Sequence, residues 1–288
     1  MVTNRPFSKT KLPHALALAI LATIMLPLGV QSEESPEAVA LSKPANSTPW
    51  GFNLTTYLWL PGADGSFTAG TNSGSVDASF IDIVNKSRRI PLGFMGRFEA
   101  HYDRFAFYVD GNYFNLQLKP VLGQNSSGIN SEIGVMDYGL MYRVFGATAS
   151  QTLDYEGIKR PNRLDVYVGA RTLWLDNSFS VAGPFGLIQT SPSSSKSFTS
   201  PIIGGRIIVD LTPSWFVLAD GNFGGFGAQN VDFTGSLMGL VGYRMSLFGH
   251  LASVEAGYKA LRYKVDPEGS LATTVTLNGP FIGLSGQW

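Results

Sequence analysis

The chain has 288 residues, of which 44% are hydrophobic, 12% aromatic and 15% charged, and its formal net charge is zero. It contains no cysteine, which excludes disulfides, thiolate metal sites and a lipid-modified N-terminal cysteine. The balanced charge gives no electrostatic reason to expect nucleic acid as a partner.

The N-terminal segment is predicted to be a secretory signal peptide. Basic residues without any acid precede an apolar run of twelve residues, Ala15–Leu26, and small residues follow it. This run is too short to span a bilayer as a helix, which argues against a membrane anchor. We therefore predict a signal peptide over residues 1–32 and export of the chain. Residues 33–49, rich in Pro, Ser and Glu, are predicted to form a periplasmic linker.

From residue 50 onward the hydrophobic pattern has a period of two, which is typical of β-strands. The 33 glycines and the lack of a second long apolar run favour many short strands. Ten strands are predicted, with eight to twelve compatible with the pattern, near 50–60, 90–102, 105–116, 131–144, 164–175, 201–211, 215–223, 233–245, 251–263 and 274–288. Residues 50–288 are thus predicted to be all-β and to form an antiparallel transmembrane β-barrel.

The predicted links between these strands alternate in length. Those at 103–104, 212–214 and 246–250 are short, whereas those at 61–89, 117–130, 176–200, 224–232 and 264–273 are long. Short periplasmic turns and long external loops are the layout of bacterial outer-membrane barrels. The link 145–163 is long where a short turn is expected, and we interpret it as an insertion. The link 61–89 is long enough to fold back into the lumen as a plug.

The predicted pairing brings opposite charges together. With the turn at 103–104, Arg97 falls opposite Asp110, and opposed residues of an antiparallel pair are close enough to interact. A second copy of this pattern follows, because PLGFMGR and YVDGNYF (residues 91–97 and 108–114) resemble PIIGGR and LADGNFG (residues 201–206 and 218–224). In that copy Arg206 falls opposite Asp220. We interpret strands two to five as duplicated in strands six to nine.

The two faces of the predicted strands differ in character. Large apolar residues are expected to face lipid, with Tyr102, Phe105, Trp215 and Tyr243 forming an aromatic girdle near the short turns. Seven acidic and six basic residues are predicted to face the lumen: Arg97, Glu99, Asp110, Asp137, Arg143, Asp165, Arg171, Arg206, Asp210, Asp220, Arg244, Glu255 and Lys259. We interpret them as a structural network of ion pairs in a narrow lumen rather than a selectivity ring of one sign. Inward glycines are expected to make room for the long arginine side chains: Gly93, Gly169, Gly204, Gly242 and Gly257.

The last residues, NGPFIGLSGQW, alternate apolar positions and finish on Trp288. They are similar to the terminal signal that the barrel-assembly machinery reads in outer-membrane proteins, so this machinery is an expected partner during biogenesis. The segments YLWLPGADGSF (57–67) and SVDASFIDIV (75–84) resemble a family of uncharacterised proteobacterial outer-membrane barrels. The resemblance covers residues 50–288 and implies a barrel in the outer membrane of a Gram-negative bacterium, without implying a substrate.

No pattern in the chain predicts an enzyme. His101 and Glu99 share the lumen face, but they lie beside a short turn, at the end opposite to the rim where omptin-type barrel proteases need His and Asp. Scattered histidines supply no metal-ligand cluster, and the glycine-rich loops follow no nucleotide-binding pattern, so no metal or cofactor is expected.

We therefore predict an outer-membrane barrel, surrounded by lipid, that is structural or a narrow conduit for a small solute. The alternative is a surface recognition or adhesion barrel that contacts a ligand through the loops 61–89 and 176–200. A barrel enzyme is the least favoured hypothesis.

Overall fold

The computed structural model describes residues 48–69, 72–78, 95–118, 128–148, 151, 159–182, 188–190, 194–266 and 272–288. All of them belong to one unit, Lys43–Trp288. The predicted signal peptide and nearly all of the predicted linker lie outside the described residues. Within those residues, no helix is both long enough and apolar enough to cross a membrane.

The described residues form β-strands that follow the predicted period of two. They are β1 Trp50–Trp59, β2 Gly62–Ala69, β3 Asn72–Ala78, β4 Met95–Tyr102, β5 Phe105–Leu118, β6 Gly128–Phe145, β7 Arg163–Ala182, β8 Ile188–Thr190, β9 Ser194–Asp210, β10 Trp215–Ala228, β11 Val231–Leu247, β12 His250–Val265 and β13 Ala272–Gln287. Each of the ten predicted strands overlaps one of these elements.

Ten strands form a closed ring, in which every neighbouring pair is antiparallel. The order is β1-β4-β5-β6-β7-β9-β10-β11-β12-β13, and β13 pairs back onto β1. The predicted all-β antiparallel barrel of ten strands is therefore confirmed. We call the end that carries Trp50 and Trp288 the turn end, because tight turns at 103–104, 211–214 and 248–249 lie there. The opposite end is the loop end.

The prediction of a loop over residues 61–89 is wrong for its first half. Residues 62–69 continue the line of β1 and pair with β13, and residues 72–78 fold back beside them as β3. The described part of this link therefore extends the sheet and does not plug the lumen. Residues 79–94 lie outside the described residues.

Two other predicted loops are also shorter than expected. The predicted loop 224–232 contains a two-residue turn at Gln229 and Asn230, both with positive φ, and the strands reach it from both sides. The glycines before it, which suggested a loop, form a bulge with φ of 103° at Gly225 and 78° at Gly227. Similarly, β7 extends to Ala182 and β9 begins at Ser194, inside the predicted loop 176–200.

The predicted charge pairings are present in the sheet. Arg97 lies opposite Asp110, and Arg206 lies opposite Asp220. Arg143 lies opposite Asp165, with Val144 as an extra residue that shifts the register by one position. This bulge lets the strands change register at the long link without separating the pair.

The outer face of the strands is apolar at the turn end and along the middle of the barrel. Tyr102, Phe105, Trp215 and Tyr243 are all exposed, as a girdle would require. Ring pairs with centroids 5.0 Å apart surround the turn end: Trp50–Tyr102, Phe105–Tyr142 and Trp215–Tyr243. Aromatic contacts of this kind add about 0.5–1.5 kcal/mol each beyond the area they bury.

Two of the five glycines that were expected to make room for arginines, Gly204 and Gly242, accommodate aromatic rings instead. A Cβ at Gly204 would lie 2.5 Å from the Tyr167 ring, and a Cβ at Gly242 would lie 2.1 Å from the Phe216 ring. Each ring lies flat across the neighbouring strand because the glycine opposite has no side chain. The other glycines of that prediction are Gly169 and Gly257, which approach backbone atoms most closely, and Gly93, which lies outside the described residues.

This packing can be tested on one strand. We expect Gly242→Ala to destabilise the barrel by about 1–3 kcal/mol, because the added methyl group collides with Phe216. Gly239→Ala is the matched control, since a Cβ there meets no atom within 4 Å. Unfolding by urea measures both, and the double variant Gly242→Ala with Phe216→Leu should recover part of the loss. Equal stabilities of the two single variants would contradict the packing.

Candidate functional site

The lumen contains all thirteen charged residues predicted to face inward. Ten are buried, and the side chains of Arg97, Asp137 and Arg244 are 13%, 15% and 11% exposed. Twelve of the thirteen form ion pairs with one another. Glu255 makes no ion pair among the described residues and accepts a hydrogen bond of 2.9 Å from Ser253.

Two arginine–aspartate pairs lie nearest the turn end. Arg143 donates to Asp165 across adjacent strands at 3.0 Å. Arg244 donates to both oxygens of Asp210 at 2.7 Å, although β10 lies between their strands. It reaches across by lying over the Phe216 ring, with the guanidinium carbon 4.3 Å from the ring centroid. Such two-pronged pairs are among the strongest hydrogen-bonded contacts in proteins.

The middle of the lumen contains a cluster built around Glu99. Its Oε1 accepts from Arg97 at 2.5 Å and from Arg206 at 2.7 Å. The two arginines also contact Asp110 at 3.5 Å and Asp220 at 2.9 Å, respectively. Each guanidinium therefore has two carboxylate partners, which offsets the cost of removing the charge from water.

Two tyrosines complete this cluster. The Tyr57 hydroxyl donates to Asp110 at 2.5 Å, and the Tyr167 hydroxyl donates to Asp220 at 2.6 Å. Lys259 lies 3.9 Å from Asp110 and 3.3 Å from the Tyr57 hydroxyl. The aspartates thus accept from a neutral and a charged donor at once, so that their charge is well compensated in the lumen.

Toward the loop end the lumen becomes apolar. Arg171 donates to both oxygens of Asp137, at 2.7 and 2.6 Å, and to Thr234 at 2.8 Å. Directly beyond Arg171 lies a buried apolar layer, which consists of Leu173, Val231, Leu261, Tyr263, Val265 and Leu277. The cavity between Arg171 and this layer has a volume of about 10 Å³, too small for more than one water molecule.

A larger cavity lies between the central cluster and the turn end. Its volume is about 90 Å³, and Arg97, Arg206 and Arg244 line it. Residues of the link 146–162 also reach it, namely Ala147, Arg160 and Pro161. The described residues at both ends of the long link therefore contribute to the wall of this cavity.

His101 is buried close to the turn end, where its Nε2 lies 3.0 Å from Glu99. Because two arginines also bind that carboxylate, His101 extends the ion-paired cluster. Across the described residues, no group of three His, Cys, Asp or Glu side chains is arranged to hold a metal ion.

Sequence reasoning missed several lumen residues. Tyr57 and Tyr167 were not predicted as partners because only charged residues were assigned, although Tyr167 shares its face with Asp165 and Arg171. Arg163 lies just before the predicted strand 164–175, and its Nε is 2.9 Å from Asp165. The alternation of the strand, continued by one more step, would have found it.

Comparison with known proteins gave structural matches only. No protein-family model and no curated protein matches the chain. The outer membrane protease OmpT from Escherichia coli superposes with a TM-score of 0.50 at 9% identity, covering 85% of this chain and 99% of OmpT. The attachment invasion locus protein Ail of Yersinia pestis gives 0.32 at 10% identity, covering 83% and 98%. Neisserial surface protein A gives 0.28 at 12% identity, covering 83% and 97%. The chain thus has the fold of an outer-membrane β-barrel.

The ion pairs of the lumen should contribute far more to the stability of the barrel than the ion pairs on the surface. We expect Asp210→Ala to destabilise the barrel by about 3–5 kcal/mol, because it leaves Arg244 buried without a carboxylate. Lys264→Ala removes the exposed pair with Asp232 and should change stability far less than Asp210→Ala does, because solvent screens this pair. Urea unfolding of both variants in the same detergent provides the measurement. Similar losses of stability in Asp210→Ala and Lys264→Ala would contradict the expectation that the lumen pair contributes more than the surface pair.

Proposed function

We propose that the protein is an outer-membrane barrel with a closed lumen, which serves as a rigid membrane-embedded scaffold rather than an open pore. The observation that carries this proposal is a reversal of polarity along the barrel axis. Up to the middle of the barrel, apolar residues are outside and charges inside. At the loop end the interior is apolar, and on β12 the exterior is charged.

Strand β12 illustrates the reversal. From the turn end, its outward residues are apolar through Tyr258, while Glu255 and Lys259 point into the lumen. Further along, Arg262 and Lys264 are exposed, while Tyr263 is buried inside. An apolar exterior suits lipid, and a charged exterior over an apolar interior suits water. The switch after about ten residues fits the roughly 25 Å apolar band of outer-membrane barrels.

The filled lumen supports a structural role. Ion-paired side chains occupy its middle, and the buried apolar layer lies across its loop-end half. The two lumen cavities described above have volumes of about 90 and 10 Å³, well below the roughly 300–1,000 Å³ of sites for drug-sized ligands. A solute would have to break buried ion pairs in order to pass, and this argues against a conduit in the observed conformation.

The ends of the chain support insertion by the barrel-assembly machinery. Trp288 and Phe52 exchange two backbone hydrogen bonds, of 2.8 and 3.1 Å, at the seam where the last strand meets the first. The C-terminal strand therefore completes the barrel, and a signal read there would precede closure. Export through the predicted signal peptide is part of the same proposal.

Surface recognition is the second candidate function, and strand length favours it. At about 3.3 Å per residue and a tilt of about 40°, a strand needs only about ten residues to cross the apolar band. Strands β6 and β7 have 18 and 20 residues, and β9 has 17. The excess lies at the loop end, where the sheet would project from the membrane and could carry a binding surface.

The apolar exterior predicts how single charges affect stability. Leu140 is 64% exposed on the outer face, five residues from the end of β6 and near the middle of the proposed band. We expect Leu140→Arg to destabilise the barrel by about 2–4 kcal/mol in lipid vesicles, and Val144→Arg, near the turn end, by about 0–1 kcal/mol. Reversible urea unfolding in vesicles measures both. If water instead of lipid surrounded Leu140, both substitutions would stay within about 0.5 kcal/mol.

The closed lumen predicts an absence of ion conduction. Purified protein, shown to be folded by heat-modifiable migration on gels, should give no stepwise conductance in planar bilayers. An insertion control is needed, so the same preparation should be protected from protease in vesicles. Regular conductance steps from inserted protein would contradict the scaffold proposal and favour the narrow conduit.

A further inference from the structure

We propose that the cavity at the turn end of the lumen is a binding site for a small oxyanion, either inorganic phosphate or a short carboxylate. Arg160 is the central ligand, and Arg163 and Arg244 complete the site. This inference goes beyond the scaffold role, because the site needs neither a membrane nor an open lumen.

Arg160 forms no hydrogen bond or ion pair with another described residue. Its side chain lines the cavity and the residue is 8% exposed, yet its Nε is buried without a hydrogen-bond partner. Burial and the nearby Arg244 lower the pKa of the Arg160 guanidinium to about 10, with Asp210 acting in the opposite direction. Asp210 is already engaged by both terminal nitrogens of Arg244. A buried guanidinium without a counterion is costly, and an incoming anion would remove that cost.

The surroundings of the cavity also have a surplus of positive charge. Arg143 and Arg163 share the single carboxylate of Asp165, at 3.0 and 2.9 Å. The Arg163 contact lacks the alignment of a hydrogen bond, because the Arg163 Nε remains unsatisfied. The residues that line the cavity include six basic and four acidic side chains: Arg97, Arg160, Arg163, Arg206, Arg244 and Lys259 against Glu99, Asp110, Asp210 and Glu255.

The described residues at the two ends of the link contact the barrel wall. Arg143 donates to the carbonyl oxygen of Ala147 at 2.5 Å, and the Asp210 backbone N–H donates to the Asn162 side chain at 3.3 Å. The link is thus attached to the barrel wall on both sides of Arg160. A preorganised donor loses little entropy on binding, which favours a specific site.

The size and chemistry of the cavity select the ligand. A volume of about 90 Å³ has room for several water molecules or one small oxyanion, and not for a nucleotide or sugar. Guanidinium groups present paired N–H donors that match the oxygens of carboxylate and phosphate. Pro161 lines the cavity and is itself exposed, so the cavity wall reaches the surface at the turn end, and we place the entry of the ligand there.

The test uses the full folded chain in detergent. Sodium phosphate and sodium acetate are titrated separately, with sodium chloride at equal ionic strength as the reference, and binding is followed by calorimetry and by the thermal unfolding midpoint. We expect phosphate, acetate or both to bind and to raise the midpoint, whereas chloride should not. The arm that responds identifies the oxyanion class.

Arg160→Gln should weaken this binding by about ten- to 100-fold, the loss expected for hydrogen bonds to a charged group. Without oxyanion, the variant should be at least as stable as the parent chain, because an unpartnered buried charge is removed. Lys159→Gln is the matched control, since it makes the same charge change at the exposed neighbouring position. Arg160→Lys keeps the charge but loses the paired donors, so its affinity should lie between those of the parent and Arg160→Gln.

Three results would overturn the proposal: equal responses to all three salts, unchanged binding by Arg160→Gln, or an equal loss in Lys159→Gln. Heat-modifiable migration confirms that each variant is folded. Because the titration uses detergent without a bilayer, its failure would leave the conductance result and the scaffold proposal unaffected.

Discussion

The carboxylate of Glu99 joins strands that the sheet itself does not bring together. It accepts from Arg97 on its own strand and from Arg206, 107 positions later in the chain, on β9. Three strands separate β4 from β9 in the ring, so this contact crosses the lumen. The two guanidinium groups repel each other, and they can lie side by side only because a negative charge is shared between them. Closure of the narrow lumen therefore depends on this carboxylate.

Arg97 and Arg206 are also equivalent positions of the internal repeat, and the structure extends that repeat. Each arginine lies opposite the aspartate of a DGN segment, and a tyrosine from the preceding strand donates to each aspartate. Tyr57 on β1 thus corresponds to Tyr167 on β7, four strands further round the ring. The duplicated unit is this arginine–aspartate–tyrosine contact, and Glu99 connects its two copies.

Outside that contact, the two copies of the repeat have basic residues at equivalent positions, but the acidic residues that pair with them lie at different positions. Arg143 and Arg244 occupy equivalent positions, but the first pairs with Asp165 on the next strand and the second with Asp210 two strands back. A long side chain with a terminal charge can turn in either direction, so the position of the cation restricts that of the carboxylate only weakly. Register places Asp165 opposite Arg143, but it gives no indication of the contact between Arg244 and Asp210.

Much of the fold follows from local rules that the sequence displays. Alternation predicts the strands, and the turn at 103–104 sets the register that brings Arg97 and Asp110 together. The sequence-based predictions fail where one residue type is compatible with two different local structures. Gly225 and Gly227 suggested a loop because glycine favours turns, but here they form a bulge within a longer hairpin. Arg160 could not be assigned from the sequence, since it lies in a link outside the strands, where the alternation of period two does not predict burial.

The reversal of polarity along β12 connects these observations. In the proposed membrane band the exterior must be apolar, so only the lumen can hold the charged side chains, and each requires a partner. Beyond the band the same strands meet water, and an ordinary apolar core forms inside them, as Leu261 and Tyr263 show. The apolar core then seals the loop-end side of the charged region, leaving the turn end as the side from which an ion can approach. Arg160 is the buried guanidinium at that entrance without a carboxylate among the described residues, and this is where an external anion would complete the pairing that the rest of the lumen achieves by itself.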